Sequence, residues 1–344
     1  MGDSYLYDCW YFVARSEELD TEGLLAKTLL GRPLVFGRAK TGEAFALEDS
    51  CPHRGMPLRH GWRVDGEIQC CYHGWRFDCR GTCTHVPALT EHDQVKLERI
   101  RVRRYPIHES HGLVWVFVPA EDGRYPDGTP FPYEIDSEAR PTQIERIDLP
   151  CDIDNANFGL LDPAHVTFVH RSWYWRPRAS TKVKTKHFES CPLGFQMVAH
   201  APSKNSLAMR LFGEDVTTRI RFQVPGVRTE TIRFDGATLV SMTIHTPVDA
   251  DTTEFNHLLF LPDRTLFKLL KPVFKRFGKA FIKQDYDNYK KLGEGLPYAR
   301  SSMLLGEVDY QFRWYRQLKK AYAAAEQKQG VAGEVDKSEL HWRT

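Results

Sequence analysis

Residues 33–48, PLVFGRAKTGEAFALE, place apolar positions on both sides of the turn AKTGE, which predicts a β-hairpin. HGLVWVFVP, ending at Pro119, reads as a further strand, and the proline- and glycine-rich stretch PAEDGRYPDGTPFP at 119–132 follows it. Beyond that stretch the pattern changes. Between 193 and 262 the segments GFQMVAHAP, LAMRLF, VTTRIRFQVPG, RTETIRFDG, ATLVSMTIHTP and TTEFNHLLFLP are short, β-rich and separated by turns. Such spacing predicts an antiparallel meander. Helical periodicity appears at 266–292 and near 310–328. The expected organisation is a mostly β domain over 1–125 and an α+β domain over 126–344.

Composition narrows this only a little. The chain has 344 residues, 42% hydrophobic and 27% charged, enough for a substantial core and two domains. A net charge of +2 gives no reason to expect nucleic acid as a partner. The start, MGDSYLYDCWYFVARSEEL, shows neither a basic n-region nor a long apolar run, and Leu6 stands where a myristoylation signal has Ser or Thr. The apolar run GLVWVFV at 112–118 is far short of a membrane span. A cytoplasmic location is the expectation. Eight cysteines then favour metal binding or free thiols over a disulfide framework.

Three of the cysteines lie in a conspicuous frame, CPHRGMPLRHGWRVDGEIQCCYHGW at 51–75. Cys51-x-His53 and Cys70-x-x-His73 are each followed closely by glycine, Gly55 and Gly74, which suits tight ligand loops. A zinc finger groups its cysteines and its histidines, whereas each loop here offers one of each. That distribution suits a [2Fe–2S] centre of the Rieske kind, with thiolates on one iron and imidazoles on the other. The Cys-x-x-His spacing selects Cys70 over Cys71 as ligand. Cys79 and Cys83 read as buried thiols.

A second constellation lies in NANFGLLDPAHVTFVHRSWYW at 155–175, with Asp162, His165 and His170. On a regular helix, histidines five apart diverge by about 140°, so both reach one metal only if the helix ends or distorts between them. Asp162, followed by Pro163, also fits an N-cap with proline at the first helical position. Downstream, Phe274, Phe277, Phe281 and Asp285 follow helical steps of three, four and four, so Asp285 falls in line with phenylalanines. A buried iron would give that carboxylate a partner. Asp287 lies on a different stripe, with Arg276, Lys279 and Lys283, and has an ordinary ion-pair explanation.

Taken together, CPHRG…CCYHGW and Asp-x-x-His-x4-His resemble the two motifs of the Rieske non-haem iron oxygenases, specifically a terminal oxygenase (alpha) component of the short, O-demethylase-like group. Met56 and Tyr72 stand where respiratory Rieske proteins carry extra disulfide-forming cysteines, which favours the oxygenase side. The resemblance implies an N-terminal all-β Rieske domain and a C-terminal helix-grip-like catalytic domain. It implies cluster ligands Cys51, His53, Cys70 and His73, and a mononuclear Fe(II) held by His165, His170 and Asp285. It also makes Asp162 a bridge from His165 to His73 of a neighbouring subunit in a homotrimer. The implied reaction uses O2 to hydroxylate or oxidatively demethylate an apolar aromatic or polycyclic, terpenoid- or sterol-like molecule. Phe158, Leu160, Leu161, Phe168, Trp173 and His245 are the expected pocket residues, although the aromatic and aliphatic ones fit core packing equally well. No nucleotide-binding motif is found, so electrons must come from a separate NAD(P)H-dependent reductase, with or without a ferredoxin. The basic helix at 266–292 reads as a solvated face, with ferredoxin docking or membrane-surface contact as alternatives. The competing function is a pure electron-transfer protein whose second domain only docks partners.

Overall fold

The computed structural model describes residues 5–121, 128–133, 135, 139–170, 183–201, 215–299, 303–326, 328 and 330–343. Its contacts fall into two units, one of Tyr7–Asp127 and one that takes in Gly128–Thr344.

The first unit is all β. Its strands are β1 (Cys9–Arg15), β2 (Leu25–Leu29), β3 (Arg32–Arg38), β4 (Ala44–Glu48), β5 (Trp62–Val64), β6 (Glu67–Gln69), β7 (Arg76–Phe77), β8 (Cys83–His85), β9 (Arg104–Tyr105), β10 (Ile107–Ser110) and β11 (Leu113–Val118). Three antiparallel sheets result, ordered β1-β11-β10, β2-β3-β4-β9 and β5-β6-β7-β8. The hairpin predicted over 33–48 is β3–β4, paired from Leu34↔Glu48 to Arg38↔Ala44. Tight turns set several registers. Asp65-Gly66 joins β5 to β6 and His111-Gly112 joins β10 to β11, each pair with positive φ at both residues. Such two-residue turns match the right-handed twist of the strands they join. The small sheet β5–β8 carries the Cys-His loops. Its core contains Cys51, Leu58, Ile68, Cys70, Phe77 and Cys83, with Cys79 packed against it.

The second unit is α+β. Its strands are β12 (Gln143–Leu149), β13 (Val183–Cys191), β14 (Gly194–His200), β15 (Thr217–Gln223), β16 (Val227–Phe234), β17 (Ala237–Pro247), β18 (Thr253–Phe260) and β19 (Glu339–Arg343). Among the described residues they form one eight-stranded sheet, ordered β12-β18-β17-β16-β15-β14-β13-β19. The meander expected over 193–262 is its centre. Asp235-Gly236 supplies the β16–β17 turn, and the predicted segment LAMRLF lies outside the described residues. Strands β12, β13 and β19 carry no clear signal in the sequence, because their mixed polarity does not alternate cleanly.

Four helices are described: α1 (Ile153–Leu161), α2 (His165–Val169), α3 (Thr265–Gly295) and α4 (Tyr310–Ala324). Asp152 caps α1, its carboxylate accepting from the N–H groups of Asp154 and Asn155. Gly159 is required in α1 because a Cβ there would sit 2.1 Å from the Tyr289 hydroxyl oxygen. One face of the sheet meets the helices in three apolar clusters. Ile232, Leu239 and Leu259 take Phe267 and Phe274 of α3. Phe255 and Ile147 take Ile282 and Tyr289, also of α3. Phe195 and Phe222 meet Trp314 and Tyr315 of α4. Burying a side chain of this size contributes roughly 1.5–3 kcal/mol, so these contacts fix how the long helix lies on the sheet.

Candidate metal centres

The two Cys-His loops of the first unit repeat one backbone design. In the first, Cys51 N–H donates to Met56 O at 2.8 Å and Gly55 N–H to Cys51 O at 2.8 Å. In the second, Cys70 N–H donates to Trp75 O at 2.8 Å and Gly74 N–H to Cys70 O at 3.0 Å. Gly55 and Gly74 have φ of 71° and 72°, a left-handed conformation that favours glycine. Cys70 is thus the structural equivalent of Cys51, and Cys71 takes the place of Pro52. Both equivalent thiols are buried, whereas Cys71 is half-buried.

The loops bring their histidines together as well. The His53 and His73 rings lie 4.5 Å apart between centroids, and His53 stacks on Trp75 at 4.5 Å and 4°. Burial, with the neighbouring Cys70 thiol adding to it, pushes the Cys51 thiol up to about 11. Burial, followed by the neighbouring His73 and Arg54, holds His53 below its ordinary range. Its Nδ1 is buried without a hydrogen-bond partner. Two adjacent thiols and two adjacent imidazoles, one with an orphaned ring nitrogen, fit a mixed Cys/His iron–sulfur cluster.

In the second unit, α2 supplies the break that the His165/His170 spacing demands. The helix ends at Val169, and His170 follows as its C-cap with φ −91° and ψ 68°. Both rings then turn to the same place, 5.5 Å apart. Asp285 of α3 joins them. Its Oδ1 lies 3.2 Å from His170 Nε2 and 4.0 Å from His165 Nε2. One ligand atom from each residue falls within 4.8 Å of the other two. His170 Nδ1 meets Gln284 Oε1 at 3.1 Å, which puts the proton on Nδ1 and leaves Nε2 with its lone pair toward Asp285. That Nε2 is buried and has no hydrogen-bond partner. Two imidazoles and a carboxylate in this arrangement are the donor set of a facial iron site.

The surroundings keep the donors ready. Burial lowers the pKa of His165, opposed by Asp285 and Asp162. Phe281 stacks on His170 at 3.6 Å and 14°. Asp162 Oδ2 stands 3.9 Å from His165 Nδ1, on the far side of that ring from Asp285. The expectation that Asp162 caps a following helix is corrected: it is the C-cap of α1, and Ala164 is the N-cap of α2. Its carboxylate instead accepts from Ala164 N–H at 2.7 Å, closing the turn between α1 and α2.

These two centres can now be set beside known proteins. A family model for the Rieske [2Fe-2S] domain matches residues 9–106, and one for the vanillate O-demethylase oxygenase C-terminal domain matches residues 152–324. The chain belongs to the Rieske non-haem iron oxygenases. The donor sets described above fit the [2Fe–2S] cluster and the mononuclear iron that this family carries. It is 37% identical to the 4beta-methylsterol monooxygenase of Methylococcus capsulatus over 123 residues, 36% of this chain and 33% of that one. It is 33% identical to the oxygenase component of dicamba O-demethylase from Stenotrophomonas maltophilia over 174 residues, 49% of each chain. The matched parts thus span a third to a half of these relatives. Dicamba monooxygenase bound to dicamba shares the fold at a TM-score of 0.74 and 23% identity, over 93% of this chain and 99% of that one.

The chain places the expected pocket residues unevenly. Phe158 packs on Phe312 of α4 at 4.3 Å, Leu161 is buried, and Leu160 is half-buried. Phe168 leaves 66% of its surface exposed, and Trp173 lies outside the described residues. His245 is buried, with Nδ1 at 2.9 Å from Asn157 Oδ1, and burial lowers it to about 3. Asn157 is itself fixed by donating to Pro225 O at 3.0 Å. Phe277 departs from the apolar stripe and is 44% exposed. At 100° per residue it stands about 60° off the line through Phe274, while Phe281 and Asp285 stay within about 20° of that line. Trp75, Gln284 and Phe281, which hold ligand rings in place, were not assigned those roles from the sequence. The signal available was their position beside or one turn from a candidate ligand.

Proposed function

We propose that the chain is the terminal oxygenase of a multi-protein system, hydroxylating or oxidatively demethylating an apolar aromatic or polycyclic substrate with O2 and external electrons. The observation that carries this reading is the convergence of His165, His170 and Asp285 in a chain that also holds the paired Cys-His loops. When bound, the mononuclear Fe(II) activates O2 and the cluster transfers single electrons. Cys51 and Cys70 would hold one iron of the cluster, and His53 and His73 the other. Gln284 keeps the proton on His170 Nδ1, and Phe281 fixes the plane of that ring, so Nε2 stays aimed at the iron position.

Asp162 stands behind His165, 3.9 Å from Nδ1 and so a charge neighbour without a hydrogen bond, where its carboxylate can receive a hydrogen bond from His73 of a neighbouring subunit. On this reading the working unit is a homotrimer in which electrons cross between chains, delivered by a separate reductase, directly or through a ferredoxin. Metal analysis provides the test. An oxygenase should hold about three irons per chain, and an electron-transfer protein about two. Substrate-dependent oxygen uptake by the reduced protein across aromatic ethers and polycyclic alcohols should follow. Two irons and no uptake would sink the proposal.

A further inference from the structure

The helix-facing side of the large sheet contains a polar area that the metal centres do not use. Strand register puts Arg228 opposite Thr243, Glu230 opposite Ser241, and Thr243 opposite His257, so all share one face with His245 and Phe255. On that same face the three apolar clusters described above pack against α3 and α4 and exclude water. Between them, Arg228 and Glu230 keep 24% and 22% of their side chains accessible, and Ser241 and His257 are half-buried. Partly accessible polar groups flanked by dry packing mark a break in that packing, since a close-packed core would leave them no solvent.

The patch has unmet hydrogen-bonding capacity. His257 Nε2 is 3.0 Å from Ser241 Oγ, yet its Nδ1 is buried with no partner among the described residues. A buried polar atom in that state costs about 1–3 kcal/mol unless water or a ligand completes it. The Arg228 and Glu230 contact, 3.4 Å, is long, leaving the guanidinium and the carboxylate free to take another group. Glu145 of β12 stands directly opposite His257 and lies 3.9 Å from Lys279 of α3, so the charges about the patch come as two pairs of opposite sign. Phe255, two residues from His257 on the same face, packs with Ile282 and Tyr289, one turn either side of Asp285 on α3, so the patch borders the iron site.

We propose that Ser241, His257 and the Arg228–Glu230 pair receive an uncharged oxygen function, a hydroxyl or carbonyl, on an otherwise apolar substrate and so orient it toward the mononuclear iron. Such a group both satisfies His257 Nδ1 and matches a pair offering a donor and an acceptor. An ionised carboxylate would gain Arg228 but meet Glu230, so it gains little. The inference rests on the oxygenase reading and narrows its substrate class.

The test measures binding to the iron-loaded, oxidised protein by quenching of tryptophan fluorescence, so turnover is not needed. One probe set is 2-methoxynaphthalene, 6-methoxy-2-naphthol and 6-methoxy-2-naphthoate; the other is 5α-androstane and 5α-androstan-3-one. In at least one set the neutral oxygenated probe should bind about tenfold tighter than its parent, the gain of one good hydrogen bond, and the naphthoate should show no such gain. In His257→Phe, and in the milder Ser241→Ala, that ratio should fall to about one while the cluster spectrum and iron content stay normal. Equal binding of parent and oxygenated probes, a preference for the naphthoate, no binding by either set, or an unchanged ratio in Ser241→Ala would each overturn the proposal. Iron content and oxygen uptake report on the oxygenase reading separately. A three-iron protein that consumes oxygen without this preference loses the receptor alone.

Discussion

The His170 imidazole presents Nδ1 to Gln284 Oε1 at 3.1 Å, so Nε2 turns toward the next residue of α3, Asp285. One helix therefore both orients a ligand and supplies another. Gln284→Ala should keep the Rieske spectrum but weaken mononuclear iron binding by about 10–100-fold, the usual cost of losing such an orienting partner. Titration of apo-protein with Fe(II) measures it. Unchanged affinity would mean that Phe281 stacking alone orients the ring.

Asp285→Ala should empty the mononuclear site while the cluster spectrum survives. Asp287→Ala should leave iron content unchanged. Asp287 is spent on Lys283, at 2.7 and 2.9 Å on an exposed helix face, a pair of about 0.3–0.5 kcal/mol. Iron analysis of the two variants decides, and loss of iron from Asp287→Ala would reverse the assignment.

Cys70→Ser should abolish the visible and EPR signature of the cluster, whereas Cys71→Ser should largely keep it. The motive is the shared backbone design of the two loops, in which Cys70 and not Cys71 occupies the place of Cys51. Retention of the signature in Cys70→Ser is the outcome that would defeat it.

Glu307 gives a pH prediction that involves no residue of either metal centre. It pairs with Lys337 and accepts from His341 N–H at 2.6 Å, tying the turn before α4 to β19. Lys337 first, then the His341 backbone, hold its carboxyl down at about 2, below its ordinary 4.5. A depressed carboxyl stabilises the fold above its unfolded pKa and loses that contribution as pH falls toward the folded value. Glu307→Gln should therefore lower the melting temperature at pH 6, and the gap to the parent should close between about pH 4.5 and 2. A pH-independent gap in thermal melts would show that the charge is not responsible.

Electron transfer between subunits has a complementation test. A His73→Ala chain, lacking the cluster, and a His165→Ala chain, lacking the mononuclear iron, should each be inactive. Co-expressed and isolated as verified mixed oligomers, they should regain part of the oxygen uptake. No recovery would defeat the route through Asp162.

What the sequence determined by itself was whatever local geometry dictates. Cys-x-His and Cys-x-x-His with glycine at the fifth loop position already specify two ligand loops, because a left-handed glycine and two backbone hydrogen bonds close each one within six residues. Asp-Gly and His-Gly turns likewise set hairpin registers without help from afar. The spacing of His165 and His170 stated a condition, a helix break, that the end of α2 meets. Tertiary structure decided how far-off groups arrive: the helical stripe already singles out Asp285, but not the role of Gln284. Gln284 and Asp285 reach His170 because phenylalanines and tyrosines seat α3 on the sheet at one register. The shared face of Arg228, Ser241 and His257 depends on which strands pair and in what register. Such contacts are chosen by burial and packing summed over the whole domain, and no short window of sequence contains that sum.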